Sequence, residues 1–106
     1  MTEYIIVFIT APNEKEAACI SQTIVGERLA ACVNIIPSVR SIYRWQGSVE
    51  DEQEVLMIAK TRKSLFERLQ ERVKELHSYE VPEIIGLPLV EGSKEYLDWL
   101  GQETET

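Results

Sequence analysis

The sequence predicts an α+β domain of order βαββαβ, an antiparallel sheet with its long helices on one face and an extra C-terminal helix. Three observations predict it. Residues 4–10 are β-branched or apolar at nearly every position, as in a central strand covered on both faces. Two long β-rich runs meet near Gly47, as in a hairpin. Two further stretches repeat their apolar residues with the period of a helix. This is the ferredoxin-like split βαβ order, and 106 residues fit a single domain, 1–106, with no repeat, linker or low-complexity segment. Such a chain can bury about two thirds of its unfolded surface.

Each element has a local cause. The first strand runs from Tyr4 to Thr10 and ends before Pro12. Asn13 and Glu16 have the N-cap and N3 spacing of a capping box. The first helix is expected to reach about Leu29, burying Ala17, Ile20, Ile24 and Ala31, with Gly26 as a weak point. The hairpin follows, its arms unusually long: Cys32 to Gln46 would span roughly 50 Å if unbroken. Pro37 cannot donate to a ladder and predicts a bend or bulge. The turn is expected over Gly47–Asp51. Ser64 or Thr61 is expected to cap a second helix, in which Leu65, Leu69, Val73 and Leu76 form the apolar stripe. His77 to Glu80 is the exit loop, and Val81 to Val90 reads as an edge strand containing Pro82 and Pro88. Ser93 caps a last helix, Gly101 is expected to stop it, and the polar tail to fray.

Composition narrows the function. A net charge of −7 argues against a nucleic-acid backbone or an anionic membrane as partner. The apolar run Ile5–Ile9 is too short for a signal peptide's core or a membrane span, which predicts a cytoplasmic protein. Cys19 and Cys32 lack metal-site spacing and read as free thiols in a reducing compartment, a disulfide between them being the alternative. No G-x-G-x-x-G, Walker, H-E-x-x-H or G-x-S-x-G motif is present, so the chain reads as a non-enzyme.

The strand pattern predicts self-association. The first strand and Val55–Ala59 are apolar on both faces, whereas helices on one side of a sheet leave the other bare. Burial against other copies removes that exposed face, and the long hairpin arms could lie on a neighbour.

Two sites stand out. Tyr43 and Trp45 share a hairpin face by parity, either as packing anchors for a neighbouring chain or as walls, with Tyr79, of a ligand cleft. Glu54, Lys60 and Glu83 would supply its polar groups. His77 ends a helix, where imidazolium suits the dipole; the sharper reading makes it a weak copper or zinc ligand, through three copies of itself or with Glu80 or Glu83. Glu50, Asp51, Glu52 and Glu54 crowd the hairpin turn and the strand that leaves it, either as a solvated acidic tip or loosely holding divalent cations.

Several blocks carry a resemblance: Ala-Cys-Val-Asn-Ile-Ile-Pro from Ala31, Ser-Ile-Tyr-Arg-Trp-Gln-Gly from Ser41, the run from Glu52 to Thr61, Leu-His-Ser-Tyr-Glu-Val-Pro-Glu-Ile-Ile from Leu76, and Tyr-Leu-Asp-Trp-Leu from Tyr96. Together they resemble the CutA divalent-cation tolerance family. The resemblance implies a ferredoxin-like fold, a cyclic homotrimer similar in shape to the PII signalling proteins, and a cytoplasmic role in tolerance of copper and other divalent metals. It also implies copper ligands at a cysteine ending the first strand and at paired histidines after the second helix. This sequence has Ile9 and Leu76 at two of those positions and keeps His77. The expected function is therefore a homotrimeric tolerance protein with weak copper or divalent-metal binding. The alternative is a PII-like small-molecule sensor using an intersubunit cleft.

Overall fold

The computed structural model describes residues 2–105. Its strands are β1 (Tyr4–Ala11), β2 (Cys32–Trp45), β3 (Ser48–Arg62) and β4 (Ile84–Pro88), and its helices α1 (Glu14–Gly26), α2 (Phe66–Leu76) and α3 (Lys94–Gln102). All strand pairs are antiparallel, in the order β2-β3-β1-β4. The expected α+β, ferredoxin-like order holds, extra helix included.

Side-chain parity divides the sheet. Ile5, Val7, Ile9 and Ala11 of β1 and Val55, Met57 and Ala59 of β3 share one buried cluster with Ile20 and Ile24 of α1 and Leu69 and Val73 of α2. The alternate residues face the other way. Tyr4, Ile6 and Phe8 are only half-buried, so β1 is covered on one face within this chain, not on both. Ile36, Ile85 and Leu87 are exposed, and their register with β1 and β3 puts them on this same open face.

The hairpin overhangs the body, and the molecule measures 44 × 25 × 22 Å. The register of β2 on β3 shifts between Ile36 and Val39, placing the expected bulge at Pro37. The turn is tighter than the expected Gly47–Asp51. Trp45 pairs directly with Ser48, leaving Gln46 (φ 49°) and Gly47 (φ 86°) in a two-residue loop. Both left-handed residues match a primed turn, whose twist suits the strands. As a consequence Glu50, Asp51 and Glu52 belong to the ladder of β3 and are not in the turn.

Other boundaries move for identifiable reasons. Helix α1 stops at Gly26, because the N–H groups of Leu29 and Ala30 turn back to the Ile24 carbonyl and Arg28 takes a left-handed φ of 62°. Neither Ser64 nor Thr61 caps α2. A 3-10 turn at Lys63–Leu65 leads into it, and the buried Thr61 hydroxyl donates to the Leu29 carbonyl at 2.6 Å. Strand β4 keeps only five of the ten expected residues, on the sheet edge.

The tail is held. Ser93 caps α3 as expected, but the helix passes Gly101 and ends at Gln102. Arg62 donates to the Gly101 carbonyl and to the buried Thr104 hydroxyl, at 2.8 and 3.0 Å, while Arg28 donates to the Gln102 carbonyl at 2.7 Å. Guanidinium groups at the last turn satisfy its free carbonyls and complement the helix dipole. Among the described residues, no helix is long and apolar enough to cross a membrane.

Candidate functional site

An open groove of about 970 Å³ lies between the hairpin and the segment joining α2 to β4. Parity on β3 builds one wall. Glu50, Glu52 and Glu54 alternate along the strand and point to the same face. The register sets Tyr43 opposite Glu50, Ser41 opposite Glu52 and Val39 opposite Glu54. The Tyr43 hydroxyl donates diagonally to Glu52 at 2.9 Å. That bond, chiefly, pushes the phenol above its ordinary pKa.

The opposite wall is the segment Ser78–Glu83, positioned by three elements. Glu16 of α1 was expected to close a capping box. Asn13 does accept from the Glu16 N–H at 2.8 Å, but the Glu16 carboxylate reaches away from the helix. It accepts from both the N–H and the hydroxyl of Ser78, each at 3.0 Å. His77 at the end of α2 is buried, with Nε2 2.6 Å from the Thr10 carbonyl of β1 and Nδ1 accepting from the Tyr79 N–H at 3.0 Å. Tyr79 then spans the groove, its hydroxyl donating to Glu54 at 2.8 Å. Burial, followed by the Glu54 bond and charge, raises the Tyr79 pKa far above the ordinary phenol value. Loss of hydration, with a second push from Glu54, raises the Glu83 carboxyl.

Five of the six residues expected in a cleft thus line one groove: Tyr43, Trp45, Glu54, Tyr79 and Glu83. Lys60 does not. It stands six residues beyond Glu54 on β3, roughly 20 Å along the strand, and its ammonium donates to the Asn34 side chain.

Residues 5–103 match the sequence model of the family described as CutA1 divalent ion tolerance protein. A divalent-cation tolerance protein CutA of Thermus thermophilus is 56% identical over 99 residues, which are 93% of this chain and 96% of that one. A chloroplastic CutA of Arabidopsis thaliana is 48% identical over 100 residues, covering 94% of this chain and 55% of the plant protein. A solved Thermus thermophilus structure, titled divalent cation tolerance protein (Cut A1), superposes with a TM-score of 0.94 at 54% identity, covering 96% of this chain and 99% of the other. This chain belongs to the CutA family. It spans nearly all of the bacterial relative and about half of the plant one.

Family membership directs attention to metal, and the donor set answers it. Among the described residues, no three His, Cys, Asp or Glu side chains converge as a metal shell. The Thr10 carbonyl can only accept, so His77 carries its hydrogen on Nε2, and the Nδ1 lone pair takes the Tyr79 N–H. Both ring nitrogens are engaged inside the chain. Ile9, at an expected ligand position, is fully buried in the core, and Leu76 is half-buried against it. Cys19 and Cys32 are free thiols, the first exposed and the second half-buried. The residues present do not fit a closed copper site.

Sequence reasoning missed Glu16, Ser78 and Thr10 as the groove's supports. Their contacts join positions 62 and 67 residues apart, and no local pattern encodes them. It read Glu50 as part of the turn, because the expected turn ran on to Asp51, whereas the ladder resumes at Ser48 and sets Glu50 beside Glu52 and Glu54.

Proposed function

We propose that this chain acts as a cytoplasmic, non-enzymatic homotrimer in divalent-cation tolerance, holding copper or other divalent ions weakly and through hydrated carboxylates. The observation that carries the assembly is the apolar face of the sheet left open in one chain. Ile6, Phe8, Ile36, Ile58, Ile85 and Leu87 lie there, and a 106-residue domain gains solubility by covering them with further copies. The hairpin overhang supports the same reading, since its arms extend beyond their own core. Threefold closure follows the family resemblance. The name of the Thermus thermophilus relative supports the tolerance role. The cytoplasmic placement is this chain's own expectation, as the plant relative is named chloroplastic.

Weak metal contact is supported by the acidic groove, whose carboxylates offer hard oxygen ligands without a chelating cage. Calorimetric titration of the metal-free protein with copper and zinc, beside Glu52→Gln at the exposed part of the row, tests it. Shallow binding that the variant weakens is expected. Saturable binding that Glu52→Gln leaves unchanged would take the metal away from the β3 carboxylates and overturn this reading.

A second reading is favoured by Tyr43, Trp45 and Tyr79, which give the groove aromatic walls beside convergent carboxylates. Such a lining suits a small organic ligand, and the groove then serves as a PII-like sensor cleft. Thermal-shift measurements across metals and metabolites separate the two.

A further inference from the structure

We propose that His77 is a proton-operated latch on the groove wall: a proton added at Nδ1 transfers the ring from Tyr79 to Glu16 and releases the Tyr79–Glu54 bridge. As a regulator of the groove, the latch rests on the groove's proposed role, but its parts work without any ligand.

Stereochemistry leaves one place for the proton. Nε2 already carries hydrogen, because it faces the Thr10 carbonyl at 2.6 Å and a carbonyl only accepts. Nδ1 holds the ring's lone pair, which the Tyr79 N–H occupies at 3.0 Å. An imidazolium donates at both nitrogens and accepts at neither. A second proton therefore removes the acceptor of the Tyr79 N–H and sets two N–H groups against each other.

A new partner for Nδ1 is already in place. Glu16 Oε2 lies 3.3 Å from it, and the Glu16 side chain keeps 18% exposure where the ring keeps none, so this carboxylate is the ring's contact with solvent protons. No Lys or Arg among the described residues lies within 4.0 Å of Glu16. A hydrogen bond from imidazolium to carboxylate is about twice as strong as a neutral one. The other neighbours offer no substitute. Thr10 of β1 gives only the carbonyl in use, and Tyr79, with its ring 4.8 Å from the imidazole, has its hydroxyl committed to Glu54 of β3. The ring exchanges a bond to the wall for a bond to α1.

Topology carries the exchange to the groove. Glu16 of α1 and His77 at the end of α2 belong to the helices, which cover one face of the sheet. Glu54 shares its parity with Ile58 on the opposite face, and Tyr79 is the side chain that reaches it. Ser78 stays tied to Glu16 by its N–H and its hydroxyl, each at 3.0 Å, and is the hinge beyond which the wall moves.

His77 is the single histidine of the sequence, so 15N spectra of its ring report the latch directly in the full chain, free of metal and metabolite. Hydrogen on Nε2 alone is expected at about pH 8, and acidification to about pH 5 should add hydrogen at Nδ1. Over the same interval the Tyr79 amide should lose about tenfold of its protection from hydrogen exchange, the intrinsic rate's own pH dependence divided out. The His77 amide, bonded to the Val73 carbonyl at 2.9 Å, should keep its protection. Glu16→Gln removes the receiving charge and should move both changes together to lower pH. A ring protonated on Nδ1 at pH 8, a ring that gains no proton, or a gain that leaves Tyr79 protected overturns the latch. So does a Tyr79 transition that Glu16→Gln leaves at the same pH. Each of these failures spares the groove's ligand role, since no ligand is present. A working latch in a protein whose metal binding ignores Glu52→Gln overturns the metal reading and keeps the latch.

Discussion

His77 Nε2 sits 2.6 Å from the carbonyl oxygen of Thr10, tying the end of α2 to the last residues of strand β1 across 67 residues of sequence. The ring lies 4.8 Å from that of Tyr79, centroid to centroid, and also accepts the Tyr79 N–H. One imidazole therefore fixes both the tautomer and the start of the groove wall. Its role is to position Tyr79, which reaches Glu54.

Removing that ring should be expensive. His77→Ala leaves the Thr10 carbonyl and the Tyr79 N–H without their partner in a buried place and opens a void beside β1. A loss of about 2–4 kcal/mol is expected from these combined defects. Urea denaturation at fixed chain concentration, which holds any subunit linkage constant, measures it. A loss under about 0.5 kcal/mol would show that the ring does not hold this wall.

The hairpin turn predicts effects of opposite sign. Gln46 carries a φ of 49°, where Asn is the better tolerated residue, so Gln46→Asn should stabilise by about 0.5 kcal/mol. Gly47 adopts its φ of 86° without strain because it has no Cβ, and Gly47→Ala should cost about 1–2 kcal/mol, although nothing crowds the space around it. Paired melting curves check both. Equal behaviour of the two variants would mean that the turn relaxes out of its left-handed geometry.

Much of this architecture was legible because it is local. The Asn13 cap, the period of Leu65, Leu69 and Val73, and the inability of Pro37 to donate are each written within a few residues. Parity likewise put Tyr43 and Trp45 on one face. What could not be read depends on distant partners. Glu16 has capping-box spacing, yet its carboxylate serves Ser78 because the fold brings that loop alongside α1. Lys60 looked like a cleft residue because its charge resembles a ligand anchor, but six residues of strand separate it from Glu54. The tail looked disordered because it is polar, and its order comes from Arg62 and Arg28, which sequence places far away.

That tail gives a third prediction. Thr104 is 1% exposed, donates to the Leu100 carbonyl at 2.9 Å and accepts from Arg62 at 3.0 Å. Thr104→Val keeps the shape but strands the guanidinium's Nε–H. A cost of about 1–3 kcal/mol is expected, with faster hydrogen exchange through the last turn of α3. Thr104→Ser, which keeps the hydroxyl, should recover most of it. Equal losses in the valine and serine variants would assign the effect to packing.

Glu83 gives a dependence on pH. Its carboxyl is raised above the ordinary 4.5 by lost hydration first and by Glu54 second. When the chain unfolds, the group ionises at its ordinary value, so between the two values the folded state holds a proton that the unfolded state has released. Stability therefore falls as pH rises through that interval, and the deficit persists above it. Glu83→Gln removes the charge and should stabilise the protein near pH 7 by less than about 1 kcal/mol, solvent screening keeping the gain small. Below the unfolded carboxylate's range both forms are neutral, and the gain should vanish by about pH 3. Denaturant midpoints of the two proteins across that range decide it. A gain as large in acid as at neutrality would mean that the glutamine packs better and that charge in the groove is not the cause.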